Sequence, residues 1–508
     1  MLNNKSRTIN SAKNIAITII CQLVNLVLGF VVRTYFIKLL GADYLGINGV
    51  FGNILSVLSM ADLGIGAAIS FALYKPIAEG DIEQIKAYMN FFKKTYRVIA
   101  ILVFGIGCLC IPFLGVLVNL PSDVANLTVI YLLLLSNTAV TYLCAYKQTL
   151  LIADQRNYVN KLIATFGIVL ANILEILILY ITHSYIGYLI MQLASTIIVN
   201  ICTSIVADKY YPFLRKNHNK LEKVKKKNLF KGIKAMVIYR VAGVVLNATD
   251  NILISVLIST TVVGLYSNYT MLCGCVSGVA ALIFEAIKGS VGSLIAEKDI
   301  RNAKKNFDAI GLFNFWIYAF ATICLLGLLN DFITLWLGKE YILSNWIVLA
   351  TVLNIYIPGI MIVVGNFRDT TGLYVKTRYV YVFAAAINLV VSIILGKLMG
   401  VVGIIFASSI ARILTSVAYE PFVLFKYYFK KRPMEYYMMQ FRYLIIMIAT
   451  FITTHYLAKL VPTSTWIYFI LKASIYVIVP NIIFYMLFRK SNEFSVLKSK
   501  VQGLLRLN

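Results

Sequence analysis

The sequence predicts an all-α integral membrane protein of about fourteen transmembrane helices, built as two pseudo-symmetric six-helix lobes plus two extra C-terminal helices. Three observations predict it. Of 508 residues, 60% are hydrophobic and only 13% charged, and mean hydropathy is +0.82; soluble domains carry about 25% charged residues. The apolar residues gather in runs of about twenty or more, long enough to cross a bilayer as helices, and none alternates with period two as barrel strands do. Finally, two stretches of the chain match two others at one fixed offset. A soluble enzyme, a disordered chain and a disulfide scaffold are excluded together.

The elements follow in order. Lys5, Arg7 and Lys13 lead into span 1, residues 12–40. That run is too long for a signal-peptide core and more spans follow it, so it is expected to remain uncleaved. Span 2 (44–74) ends on a basic loop near 75–97. Spans 3 and 4 (97–120, 125–150) end on the loop 147–161, and spans 5 and 6 (159–182, 185–207) on the loop 208–234. This last loop holds ten Lys and Arg, including Lys225-Lys226-Lys227. Spans 7 and 8 (233–258, 262–288) return to 288–305, spans 9 and 10 (308–330, 341–366) to 368–378, and spans 11 and 12 (379–399, 401–426) to 426–442. Spans 13 and 14 (437–458, 465–488) precede a basic tail. The expected divisions are an N-terminal lobe with its linker at 1–231, a C-terminal lobe at 232–436, and the last two spans with the tail at 437–508.

Net charge is +26, from 47 Lys+Arg against 21 Asp+Glu. With the N-terminus inside, 39 of the 47 fall in cytoplasmic segments. Lys38, Lys339, Lys397, Lys459 and Lys472 lie at outward ends, and Arg33, Arg240 and Arg412 within spans. This bias fixes both termini as cytoplasmic and explains the charge without nucleic acid. Outward loops are short, the longest near 330–341, and no loop can hold a folded catalytic domain. No G-x-x-x-x-G-K-[ST] phosphate loop occurs. The eight cysteines lie in apolar runs and read as small fillers. The three histidines, His183, His218 and His455, form no metal-spaced set with them. No metal or cofactor is expected.

Leu45-Gly46-Ile47-Asn48-Gly49-Val50-Phe51 matches Val263-Gly264-Leu265-Tyr266-Ser267-Asn268-Tyr269, and Ile77-Ala78-Glu79-Gly80-Asp81-Ile82 matches Ile295-Ala296-Glu297-Lys298-Asp299-Ile300, both at an offset of 218. Spans 1–6 and 7–12 therefore read as two copies of one unit. Six is even, so the copies share one orientation, a parallel repeat about the membrane normal. Two such bundles suit a transporter; an old duplication in a non-transporting protein is the alternative.

The stretch Leu40-Gly41-Ala42-Asp43-Tyr44-Leu45-Gly46-Ile47-Asn48-Gly49-Val50-Phe51, with Leu58-Ser59-Met60-Ala61-Asp62-Leu63-Gly64-Ile65-Gly66-Ala67-Ala68-Ile69 and Leu73-Tyr74-Lys75-Pro76-Ile77-Ala78, resembles the Wzx-type polysaccharide flippases of the multidrug/oligosaccharidyl-lipid/polysaccharide exporter superfamily. The 6+6+2 arrangement extends the resemblance over essentially the whole chain. It implies a non-enzyme of the bacterial cytoplasmic membrane, which moves undecaprenyl-pyrophosphate-linked oligosaccharide to the outer leaflet for capsule, O-antigen or exopolysaccharide assembly, alongside polymerase machinery. It also implies that spans 1, 2, 7 and 8 line a cavity, often cationic. A lipid II or teichoic-acid precursor is the nearest alternative cargo. A membrane polymerase is the alternative from another class, disfavoured by the short outward loops.

Ionisable groups inside spans are costly and usually functional or paired. Arg33 lies about 12 Å along its helix from the outer turn, with Arg240 at a similar distance from the inner end of span 7. Both could bind pyrophosphate through the planar, permanently charged guanidinium, or gate; a structural pair for Arg33 and snorkelling for Arg240 are the alternatives. Arg412 divides evenly between substrate and structure. Asp62 in span 2, Asp250 in span 7 and Glu175 in span 5 are candidates for coupling to a proton or sodium gradient, or structural carboxylates. The offset sets Arg33 opposite position 251, so Arg33 and Asp250 could pair as an outer gate. Glu285 is expected to pair with Lys288, and Lys472 to snorkel. The 208–234 loop is expected to attract anionic lipids or to gather substrate.

Overall fold

The computed structural model describes residues 4–62, 65–120, 124, 126–214, 219–222, 243, 248–462 and 464–505. The described residues are helical with no strand among them. They divide into two compact units, Met1–Gly264 and Leu265–Asn508. The first holds α1 (Asn4–Leu58), α2 (Ile65–Glu79), α3 (Ile82–Leu109), α4 (Leu127–Ala153), α5 (Asn157–Thr182) and α6 (Tyr185–Tyr210), with the short apolar helix α7 (Ala248–Leu257). Helix α8 (Thr260–Ala296) starts in the first unit and runs on into the second. There follow α9 (Ile300–Trp336), α10 (Asn345–Ile360), α11 (Ile362–Thr370), α12 (Val380–Met399), α13 (Val401–Arg412), α14 (Ala418–Leu424), α15 (Met434–Ala458), α16 (Trp466–Phe488) and α17 (Asn492–Leu505).

Among the described residues, twelve helices are long and apolar enough to span a membrane, so this is a multi-pass membrane protein. The expected fourteen and the observed twelve differ for local reasons. The candidate span Ile20–Leu58 runs through a break at Gly41, whose φ of 83° and ψ of −174° are not helical. Span 1 and the start of span 2 are thus merged. Span 7 is described only at Ala248–Leu257. Side chains that face outward are those of a lipid-exposed surface: Phe71, Ile101, Phe166 and Leu398 are each more than 70% exposed, which water would not tolerate in such number.

Several helices exceed the apolar runs that marked them. Helix α9 has 37 residues where the hydropathy run covers 308–330. At 1.5 Å per residue it is about 55 Å long, against roughly 30 Å of hydrocarbon. Hydropathy reports only the part in lipid; backbone hydrogen bonding carries the helix beyond it.

In the first unit α6 packs on α4 and α5, α5 on α1, and α3 on α4. In the second, α13 packs on α12 and α10, and α9 on α10, α16 and α17. The core of the second unit is aromatic: Phe315 stacks on Tyr443 at 4.3 Å, and Phe307 meets Phe367, Phe425 and Phe429 edge-on at 5.2–5.6 Å.

The repeat reappears as turn geometry. Helix α2 ends at Glu79, Gly80 takes a φ of 76°, and Asp81 caps α3 by accepting from the Gln84 N–H. Helix α8 ends at Ala296, and at the same offset Lys298 takes a φ of 58° and Asp299 caps α9 by accepting from the N–H groups of Arg301 and Asn302. Each cap satisfies donors that a helix start leaves open. Asp81→Ala and Asp299→Ala should each cost about 1 kcal/mol, measured as a lowered melting midpoint of the purified protein, while Asn replacements should keep most of it.

Candidate functional site

Among the sequence-marked residues, the first unit brings Arg33, Glu175 and the α6 tyrosines together. Helix α1 delivers Arg33, half-buried, one turn before buried Phe36. Helix α5 places Glu175 at 3% exposure, with Tyr188 of α6 within its electrostatic reach. The charge of Arg33 also bears on Tyr188, so Tyr188 lies within the field of both groups. The Phe36 ring meets Tyr185 at 5.5 Å and Tyr188 at 5.3 Å, and Tyr44 lies 5.0 Å from Tyr185. The cluster therefore combines a guanidinium, a carboxylate and three phenols in an apolar slab. The Tyr185 hydroxyl is buried with no hydrogen-bond partner, an exception to the rule that buried polar atoms are paired.

Of the other marked residues, two are placed on other helices and two lie in whole or in part outside the described residues. Asp250 is half-buried on α7. Asp62 closes a 3-10 turn, Ser59–Asp62, which interrupts span 2; its side chain, and the whole of Arg240, lie outside the described residues. Arg412 ends α13 in the second unit, where its Nη1 donates to the Asn354 carbonyl at 3.4 Å.

Two smaller expectations are corrected. Lys288 reaches Asp369 Oδ2 at 3.5 Å, whereas Glu285 beside it is exposed. Lys472 does not snorkel to water but pairs with Asp331 at 2.6 Å, because α16 packs on α9 where that carboxylate sits.

The start of α8 forms a second site within the first unit. A Cβ on Gly46 would fall 2.0 Å from the Thr260 carbonyl oxygen, and one on Gly264 would fall 2.1 Å from that of Ala42. The offset of 218 makes Gly46 the counterpart of Gly264 and Ala42 that of Thr260. The contact is thus reciprocal between equivalent turns. Asp43 and Thr261, also counterparts, share a 2.5 Å hydrogen bond in which the hydroxyl donates. Thr260 is fully buried; its Oγ1 accepts from the Asn119 N–H at 2.8 Å and lies 2.6 Å from Ser255 Oγ.

Sequence reasoning missed two ion pairs. In the first unit Lys147, 7% exposed, donates to Asp208 at 2.7 Å and to Ser204 Oγ at 2.6 Å. In the second, Arg368 and Glu420 are both almost wholly buried and bond directly through Nη1 and Oε1. Arg368 also donates to Asp369 Oδ1 through Nε at 3.0 Å and Nη2 at 2.8 Å. Each pair joins spans 4 and 6 of its own copy, with the cation on the fourth and the carboxylate on the sixth. Glu420 stands out in the sequence as a carboxylate inside the apolar run 401–426, but its partner is 52 residues away. It precedes Pro421, between π-helical turns at Ile413–Val417 and Phe425–Phe429. Proline has no N–H for the carbonyl four residues back, and a local π turn is one way a helix absorbs that break.

The profile of the polysaccharide biosynthesis protein family matches residues 11–287, more than half of the chain. No curated protein matches it in sequence. Among solved structures it is similar to the lipid II flippase MurJ in its inward closed conformation, with a TM-score of 0.65 at 17% identity over 94% of this chain and 99% of that one. It is also similar to a mutant form of the Vibrio cholerae MATE transporter VcmN, at 0.60 and 12% over 85% and 99%. A multidrug resistance MATE family transporter of the MOP superfamily, inward-facing, gives 0.54 and 12% over 78% and 92%. At these identities the likeness establishes the fold.

Two outcomes test this geometry. Glu420→Gln should lower stability by about 1.5–3 kcal/mol, the loss of one charge-assisted bond, because Asp369 still holds Nε and Nη2 of the buried guanidinium, and Arg368→Met with Glu420→Leu should recover most of the loss; thermal melts of the three proteins decide it. Gly46→Ala should lower stability by about 1–3 kcal/mol of overpacking, seen as a lower melting midpoint, whereas Gly52→Ala, whose Cβ meets nothing within 4 Å, should not.

Proposed function

Because the chain belongs to the polysaccharide biosynthesis protein family, we propose that it is a flippase. Its cargo in this reading is an undecaprenyl-pyrophosphate-linked oligosaccharide, moved from the inner to the outer leaflet of the bacterial cytoplasmic membrane for capsule, O-antigen or exopolysaccharide assembly. The observation that carries the reading is the family match on a chain whose described mass is membrane-spanning helix. Both termini face the cytoplasm in this reading, as the Lys and Arg bias argues, and the polymerase machinery acts downstream. No covalent bond of the cargo is made or broken.

The chemistry to be managed is an anionic pyrophosphate crossing a low-dielectric slab, where an uncompensated ion costs several kcal/mol. Arg33 offers a permanently charged fork for phosphate oxygens, beside rings that suit a sugar face. Arg240 and Arg412 are the further candidates for pyrophosphate contact or gating. Glu175, Asp62 and Asp250 are the candidates for a proton or sodium that couples transport to a gradient. The lobes alternate access, and the reciprocal Gly46–Thr260 and Gly264–Ala42 contact acts as a closed outward turn. The likeness to MurJ favours lipid II as the second reading of the cargo.

The test is a deletion strain probed with a membrane-impermeant lectin or glycosidase. Lipid-linked repeat units should be trapped in the inner leaflet; unpolymerised units on the outer face would reject the flippase. In the same assay, at equal protein level, Arg33→Ala should lower translocation about ten- to hundredfold, the loss of one charge-assisted contact, and Arg33→Lys should keep part of it.

A further inference from the structure

Helix α9 begins beside a cavity of about 550 Å³ in the second unit, lined in part by Arg301, Lys304, Lys305 and Lys431 against the carboxylates of Asp308 and Glu493. That volume is in the range of ligand clefts. The charges are unequally engaged. Lys304 Nζ lies 2.6 Å from both oxygens of Asp308, so that carboxylate is taken. Lys431 reaches Glu435 only at 3.8 Å, with both side chains half-exposed, a geometry of little worth. Among the described residues no ion pair engages Arg301 or Lys305. The cavity thus presents cationic capacity that its own carboxylates do not use.

Its place selects the anion. Helix α9 is about 55 Å long by its residue count, so its charged first turns stand outside the hydrocarbon. The opposite wall is the start of α17, which follows the last spanning helix after a short turn. Phe494 of α17 stacks on Trp316 at 6.3 Å and meets Tyr485 at 5.9 Å, while Lys498 and Lys500 are exposed. An amphipathic helix docked by its apolar face at the end of a span lies at the headgroup level. We propose that this cavity is a binding site for the phosphodiester headgroup of an anionic membrane phospholipid, held by Arg301, Lys305 and Lys431. The proposal does not depend on the identity of the cargo proposed above.

The test uses the full chain purified in detergent, with retained lipid counted by native mass spectrometry. Phosphatidylglycerol should be retained over phosphatidylcholine. Arg301→Gln and Lys305→Gln should each weaken it about fivefold, the effect of one cation near a charged headgroup, and Arg301→Lys with Lys305→Arg should restore it. Glu493→Gln should strengthen it by a similar factor, a sign that a purely structural role would not give. Lys339→Gln, beyond the far end of α9, should change nothing. Equal retention by wild type and both Gln variants would overturn the site. Displacement of the lipid by soluble glycerol phosphate or inorganic phosphate at equal concentration would overturn the lipid as its ligand and make it a soluble-anion site.

Discussion

In hydrocarbon no water completes a backbone hydrogen bond, so each crossing segment must satisfy its own N–H and C=O groups. That constraint makes the described chain helical and decides where it can bend. The break at Gly41, the 3-10 turn at Ser59–Asp62 and the π turns around Pro421 are places where helix geometry is interrupted. Glu420 at the proline meets Arg368. Thr260, at the start of α8, takes the Asn119 N–H on its hydroxyl.

The same low dielectric explains the ion pairs. A lone Lys147 or Glu420 would be prohibitive at such burial; paired with Asp208 and Arg368 they hold two helices in one register. Such pairs add little net stability, since desolvation offsets attraction, but removing one partner is severe. Their recurrence between spans 4 and 6 of both copies makes them a shared device of the six-helix unit. In each copy a turn and cap also recur at the 218 offset, where Lys298 accepts the left-handed conformation that Gly80 takes with less strain.

The spans, the basic ends and the duplication were legible because hydropathy and charge are one-dimensional signals. The repeat was even written in residues that the fold uses: Asp81 and Asp299 are both caps, and Gly46 and Gly264 both make close contacts. Other features needed the third dimension. The fit of Arg368 to Glu420, or of Lys472 to Asp331, depends on which faces of distant helices meet. Helix ends were underestimated at α9 because polar turns continue a helix without a hydropathic mark. Of the marked ionisable residues, Arg33 and Glu175 come together beside Tyr188, which had no signal beyond being one of 33 tyrosines.

The reciprocal glycine contact has a genealogical consequence. After a duplication, two copies ordinarily drift apart, each position free to change on its own. Here Gly46 lies against a carbonyl of the later copy and Gly264 against the matching carbonyl of the earlier one, so neither copy can enlarge its residue without disturbing a surface that both inherit. The pair ties the two matching turns to one geometry, so a larger residue at either glycine must displace backbone of the other turn.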